Sequence, residues 1–179
     1  LWRDIAPRLV LNVTLSDLEA NVLRQIVPHI DQLLERTIPE TPAIADVAAH
    51  QRLTLTLIEI LRRQTQPTLL LLEDLQWTSE GLGPLKRISK ILDKLPGVMV
   101  VGTYRNDERP DLPNELPGSN VLTLDRLTQQ EVAQLSQAML GRQVSISEMV
   151  SWLYKETEGN TFFIVEVMRT LSEEAGNLD

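Results

Sequence analysis

The apolar positions change rhythm twice along the chain. Trp2, Ile5, Leu9 and Val10 recur at helical spacing. Ser16 and Glu19 then form a capping-box pattern, followed at helical intervals by Leu18, Val22, Ile26, Ile30, Leu33 and Leu34, with Pro28 marking a break. The two prolines in Thr37 to Pro42 predict a loop, and Pro42 suits the first turn of a further helix. The stripe expected on that helix is Ile44, Val47, Ala48, Leu55, Ile58 and Leu61, running to Arg62 and Arg63 and ended by Pro67.

From Leu69 the pattern shortens. Leu69 to Leu72 is a continuous apolar run, too short for a helix and without alternation, which predicts a strand covered on both faces. Leu82, Leu85, Ile88, Leu92 and Leu95 describe a helical stripe closed by Pro96 and Gly97, and Val98 to Thr103 reads as a second strand. Strand, helix and strand joined by a crossover of about 25 residues predict a parallel pair in a layered α/β fold. A loop from Asn106 to Asn120 leads to a third strand expected at Val121 to Leu124.

The last third returns to helical spacing. Thr128 with Glu131 is a capping box, with Leu127 and Val132 placed as its hydrophobic staple. Ser145 with Glu148 repeats the device, and Gly141, Gly159 and Gly176 stand where helix C-terminal glycines belong. The expected organisation is an α/β core over 1–125 and a small helical subdomain over 126–179.

Composition narrows the function. A chain of 179 residues with 42% hydrophobic residues can bury a core of its own. Its formal net charge of -8 argues against direct nucleic-acid binding, which calls for clustered Lys and Arg. No apolar run reaches the roughly 18 to 20 residues that span a bilayer, so no membrane association is expected. The absence of cysteine fits a reducing cytoplasm. His29 and His50 are the only histidines and lie too far apart to form a ligand pair. The start at Leu1, with helical spacing at once, reads as a segment cut from something longer.

The chemistry gathers where the strands end. Ligands of open parallel sheets bind beyond the carboxyl ends of the strands. Glu73 and Asp74 end the first strand, and Thr103 and Arg105 end the second, so the four are expected on one edge. Adjacent acids there suit a magnesium-phosphate site, one holding the ion and the other a water; strands that merely stop in polar residues give the same local pattern.

LLLLEDLQWTSEGL, VVGTYRNDERPDL, LDRL with TQQEV, and ETEGNTFFIVEVMRTL occur in that order. Together they resemble the ATPase module of bacterial STAND-type AAA+ signalling proteins, multidomain regulators often carrying a serine/threonine kinase or cyclase domain. The likeness runs from about Leu53 onward. It implies a P-loop NTPase-like three-layer αβα parallel sheet with a C-terminal helical lid. It also implies that Glu73 and Asp74 are the Walker B acids that hold magnesium, with Asp74 positioning the attacking water. Thr103 and Arg105 would sense the nucleotide from the next strand, and Gly159 and Asn160 would form the lid turn that reaches it.

The chain departs from that pattern. Glu73 is one methylene longer than the usual Asp, and Thr161 stands where Pro usually follows the glycine-asparagine turn. None of the four lysines follows a glycine, so the P-loop is missing. The resemblance therefore implies an intact parent that binds ATP and magnesium, and a fragment that neither binds ATP tightly nor hydrolyses it. Two classes of function follow: an ATP-dependent switch acting on other domains of its parent, and a non-catalytic interaction domain with a degenerate nucleotide fold. Without the P-loop strand, exposed sheet edges would invite self-association.

Other features have plainer readings. Arg62 and Arg63 are expected to be a solvated pair at a helix C-terminus, and Asp107, Glu108 and Arg109 a solvated turn. Trp2, Trp77 and Trp152 are expected in core or interface, and Phe162 and Phe163 in helix packing.

Overall fold

The computed structural model describes residues 1–40, 46–79, 81–140 and 146–176. The chain divides into two units, Leu1–Val121 and Leu122–Asp179.

The first unit opens with four helices: α1 (Trp2–Val10), α2 (Asp17–Leu23), the short α3 (Ile30–Leu33) and α4 (Asp46–Arg62). The capping box at Ser16 forms. The Ser16 side chain accepts from the Glu19 amide, and the Glu19 carboxylate accepts from the Ser16 amide at 2.8 Å. Each such cap is worth about 1 kcal/mol. Helix α4 is the spine of the unit and lies against α1 and α2. Its buried side carries Leu53, Leu57, Ile58, Ile60 and Leu61. The expected stripe is out of phase with that face, since Val47 is 74% exposed and Leu55 also faces outward, while Ile58 and Leu61 are buried. The helix is apolar around much of its girth, so spacing alone does not select the side that meets neighbours. Pro42 and Ile44 lie outside the described residues.

Strand β1 (Thr68–Leu72) follows, then a 3₁₀ turn, Leu75–Trp77, and helix α5 (Leu82–Ser89). A second 3₁₀ turn, Leu92–Lys94, leads into β2 (Val98–Gly102), and the four-residue α6 (Leu112–Glu115) closes the unit. Helix α4 also lies against α5. The two strands pair in parallel, with Leu69 opposite Met99, Leu70 opposite Val100 and Leu71 opposite Val101. The fold is thus mixed α/β with a parallel sheet, which among the described residues has two strands.

Two expectations fail at this sheet. Val121 to Leu124 is not a strand: these residues have no regular secondary structure and are exposed, Leu122 at 85% and Leu124 at 87%. A β-prone run needs an edge to pair with, and this one finds none. The strand run is also not covered on both faces. Leu70 and Leu72 enter the core, whereas Leu69, Leu71 and Met99 are 61%, 59% and 61% exposed. A parallel sheet ordinarily has both faces covered; here one is bare.

The second unit contains α7 (Gln129–Leu140), α8 (Ile146–Thr157) and α9 (Thr161–Gly176) around a core of Val132, Val150, Leu153, Ile164 and Met168. The Thr128 capping box forms, with the Thr128 amide donating to Glu131 at 2.8 Å and the Glu131 amide donating back to Thr128 Oγ1 at 3.3 Å. The Thr128 amide and hydroxyl, both donating to Glu131, hold its carboxyl below the usual range. Leu127 and Val132 join the same cluster, as the staple predicts. Gly176 lies within α9 rather than after it. Gly141, Val144 and Ser145 lie outside the described residues. Phe162 and Phe163 do not pack between helices; they are exposed on the first turn of α9, edge to face with ring centroids 5.7 Å apart. Among the described residues no helix is long and apolar enough to cross a membrane.

Candidate functional site

The parallel ladder does not stop where the strands end. The Thr103 amide donates to Leu72 O at 2.8 Å and the Leu75 amide to Thr103 O at 2.9 Å, which clamps Glu73 and Asp74 beside Thr103. Asp74 takes a left-handed backbone, φ 53° and ψ 45°, which Asp tolerates better than most residues. That turn sends Leu75 back over the strand end, where it is buried against Gly102. A Cβ at Gly102 would lie 2.6 Å from Leu75 Cδ1, so a larger residue there would make the Leu75 side chain shift.

Side chains then tie the two strand ends together. The Asp74 amide donates to Thr103 Oγ1 at 3.3 Å. Gln76 bridges: its Nε2 donates to Asp74 Oδ1 at 3.2 Å, and its Oε1 accepts from the Arg105 amide at 3.1 Å. Arg105 meets Asp107 at 3.2 Å and Glu108 at 3.1 Å. The hydrogen bond to Asp107, then the charges of Asp107 and Glu108, push the Arg105 guanidinium above its ordinary value; the same hydrogen bond holds the Asp107 carboxyl below its own. Glu108 also accepts from the Trp77 indole at 2.7 Å, leaving the ring 71% exposed.

Asp74, Thr103 and Arg105 thus meet on one edge. Glu73 faces a small hollow of about 300 Å³ that it shares with Asp4 and Ile5 of α1 and with Leu71 and Thr78. Gly159 and Asn160 belong to the other unit. Gly159 has φ 76°, its carbonyl accepts from the Leu127 amide at 2.8 Å, and a Cβ there would come 2.1 Å from Leu127 O. Asn160 caps α9, its Oδ1 accepting from the Phe162 and Phe163 amides at 3.1 and 3.4 Å. Local folding accounts for both residues.

Gln76, Asp107 and Glu108 are what the sequence reading missed. Their signal was position, since each lies within six residues of a strand end. Nor is the turn after β2 merely solvated: Arg109 donates to Thr78 O at 2.9 Å and pairs with Glu115 at 2.8 Å. Arg63 is likewise no free cation. It donates to Thr14 O at 2.8 Å and pairs with Glu19, joining the end of α4 to the start of α2, while Arg62 pairs with Glu59. Of the three tryptophans, Trp2 is buried, whereas Trp77 and Trp152 are exposed.

Magnesium takes one or two carboxylates and completes its shell with water and phosphate oxygens. Glu73 and Asp74 are two carboxylates, the number that share takes, but Asp74 meets Gln76 at the strand-end edge while Glu73 faces the hollow beside α1; among the described residues no group of three or more His, Cys, Asp or Glu is gathered to hold a metal alone. The phosphate side does not fit: the chain has no Gly-Lys pair and so no P-loop to hold the phosphates. What the fold defines is a mixed α/β unit with acids and a guanidinium at the carboxyl edge of a parallel pair. No known protein family, curated protein or solved structure matches the chain.

Proposed function

We propose that the chain is the carboxylate-bearing part of an ATP-dependent regulatory switch in a multidomain cytoplasmic signalling protein, with the P-loop supplied by residues outside these 179. The observation that supports the reading is the Gln76 bridge, which ties the Asp74 carboxylate to the Arg105 backbone amide across the ends of neighbouring parallel strands. Glu73 and Asp74 would hold magnesium, which supplies neutralising charge for bound phosphate. Arg105 is already neutralised by Asp107 and Glu108. A phosphate held by such a P-loop would compete with Glu108 for that guanidinium, and Glu108 also accepts from the Trp77 indole.

The test is a calorimetric titration with Mg-ATP of this chain and of a version extended upstream by at least one βαβ unit, about 30 residues. Binding by the longer version alone, lost in its Asp74→Asn variant, is the expected result. Binding by neither removes the switch reading.

A second reading, a non-catalytic interaction domain, is favoured by the bare face of Leu69, Leu71 and Met99 and by the open edges of a two-stranded sheet. Its partners are other domains of the parent or a second copy of the chain. Concentration-dependent sedimentation abolished by Leu71→Lys, with no response to Mg-ATP in the longer version, is the result that favours it.

A further inference from the structure

We propose that an open hollow built by α1, α4 and α5 binds a small amphipathic anion: a flat or apolar body carrying a carboxylate, sulfate or phosphate. The hollow measures about 730 Å³, within the roughly 300–1,000 Å³ typical of small-molecule sites. Neither Glu73 nor Asp74 lines it, although Leu1 and Thr78 border both this hollow and the smaller one that Glu73 faces.

Helical spacing assembles it. On α4, His50 and Thr54 are four residues apart and share a face; on α5, Gly83 and Arg87 do the same, and α1 contributes Trp2 and Arg3. The floor, formed by Trp2, Leu53, Thr54 and Pro84, is buried. Its polar atoms are already engaged: the Trp2 indole donates to Gly81 O at 2.8 Å and the Thr54 hydroxyl to His50 O at 2.9 Å. A floor with no free donor suits an apolar body.

The rim is different. Arg3 and Arg87 are exposed, and among the described residues neither has a carboxylate partner. No carboxylate stands among the described residues that line the hollow. In a chain with 25 acids against 17 bases, two unpaired guanidiniums over one concavity are a local reversal of sign. They supply planar, bidentate recognition of an oxyanion. Trp77 adds an exposed aromatic wall, its ring held by the bond to Glu108.

The probe is 8-anilinonaphthalene-1-sulfonate, an aromatic sulfonate, titrated against the full chain while tryptophan emission is followed. One saturable site is expected, with tryptophan emission falling as the probe brightens. Arg3→Glu with Arg87→Glu weakens it by about tenfold or more. Gly83→Phe is expected to block it: Gly83 lines the hollow and a Cβ there meets nothing within 4 Å, so a ring has room at its mouth, and loss of a helical glycine favours α5. An unchanged urea midpoint in Gly83→Phe shows that blocking is not unfolding. Leu71→Lys, on the bare sheet face, leaves the affinity unchanged. The proposal is overturned by an absent wild-type site, by undiminished binding in the double arginine variant or in Gly83→Phe, or by loss of binding in Leu71→Lys. Equal affinity for uncharged N-phenyl-1-naphthylamine overturns the requirement for an anion.

Discussion

Asp74 and Gly159 share a left-handed backbone, φ 53° and 76°, and both belong to motifs from which the sequence predicts nucleotide contact. They are built in opposite ways. At Asp74 the turn is exposed, and among the described residues its carboxylate accepts a hydrogen bond from Gln76 alone. At Gly159 there is no room for a side chain, because Leu127 O occupies its place. The helical unit requires the glycine in order to fold, whereas among the described residues the Asp74 carboxylate contributes one exposed hydrogen bond, from Gln76, and a charge near Arg105. Motif residues that the fold already explains carry little weight for function, and those that it leaves unexplained carry more.

Gly159→Ala is the strongest test of that contrast. A methyl group 2.1 Å from a carbonyl oxygen, at positive φ, has to open the Leu127–Gly159 hydrogen bond. Steric conflict and left-handed strain together are expected to cost about 3 kcal/mol. Hydrogen exchange on the full chain reads it: amides of α8 and α9 speed up while those of α4 do not. Unchanged exchange throughout would mean that the turn is loose and that the glycine is kept for another reason.

Asn160→Ala comes next. It removes the acceptor for two amides at the start of α9 and is expected to cost the helical unit about 1 kcal/mol. Asn160→Asp, which keeps an acceptor, restores most of that in the same urea titration. Equal damage from both substitutions would show that capping is not what Asn160 does.

The same distinction explains what was legible in the sequence. Both described capping boxes and the parallel pair were readable because each rests on local spacing or on connection length. Three things were not. The phase of α4 was hidden because the helix is apolar on several sides, so only its neighbours select the buried one. Val121 to Leu124 has strand-like composition, but pairing depends on an edge that local sequence does not report. The run Leu69 to Leu72 is apolar on both faces, yet only one face finds a cover. At the candidate site, the positions of Glu73, Asp74, Thr103 and Arg105 followed from strand ends. The bridge through Gln76 and the neutralisation of Arg105 by Asp107 and Glu108 depend on side-chain geometry that no spacing rule supplies.

The smallest expected effect is the most informative. Asp74→Gly relieves a left-handed residue, a gain of up to about 1 kcal/mol, and loses one exposed hydrogen bond from Gln76, a loss of about 0.5–1 kcal/mol. The two nearly cancel, so the urea midpoint of the α/β unit should shift by no more than about 0.5 kcal/mol equivalent. Arg105 keeps Asp107 and Glu108, and the Thr103 backbone bonds that close the strand ends do not involve the Asp74 side chain. A neutral result with loss of Mg-ATP binding in the upstream-extended version separates function from folding at this residue. A loss above about 1.5 kcal/mol would instead make the Asp74 carboxylate structural, as Gly159 is, and would remove the contrast on which the switch reading leans.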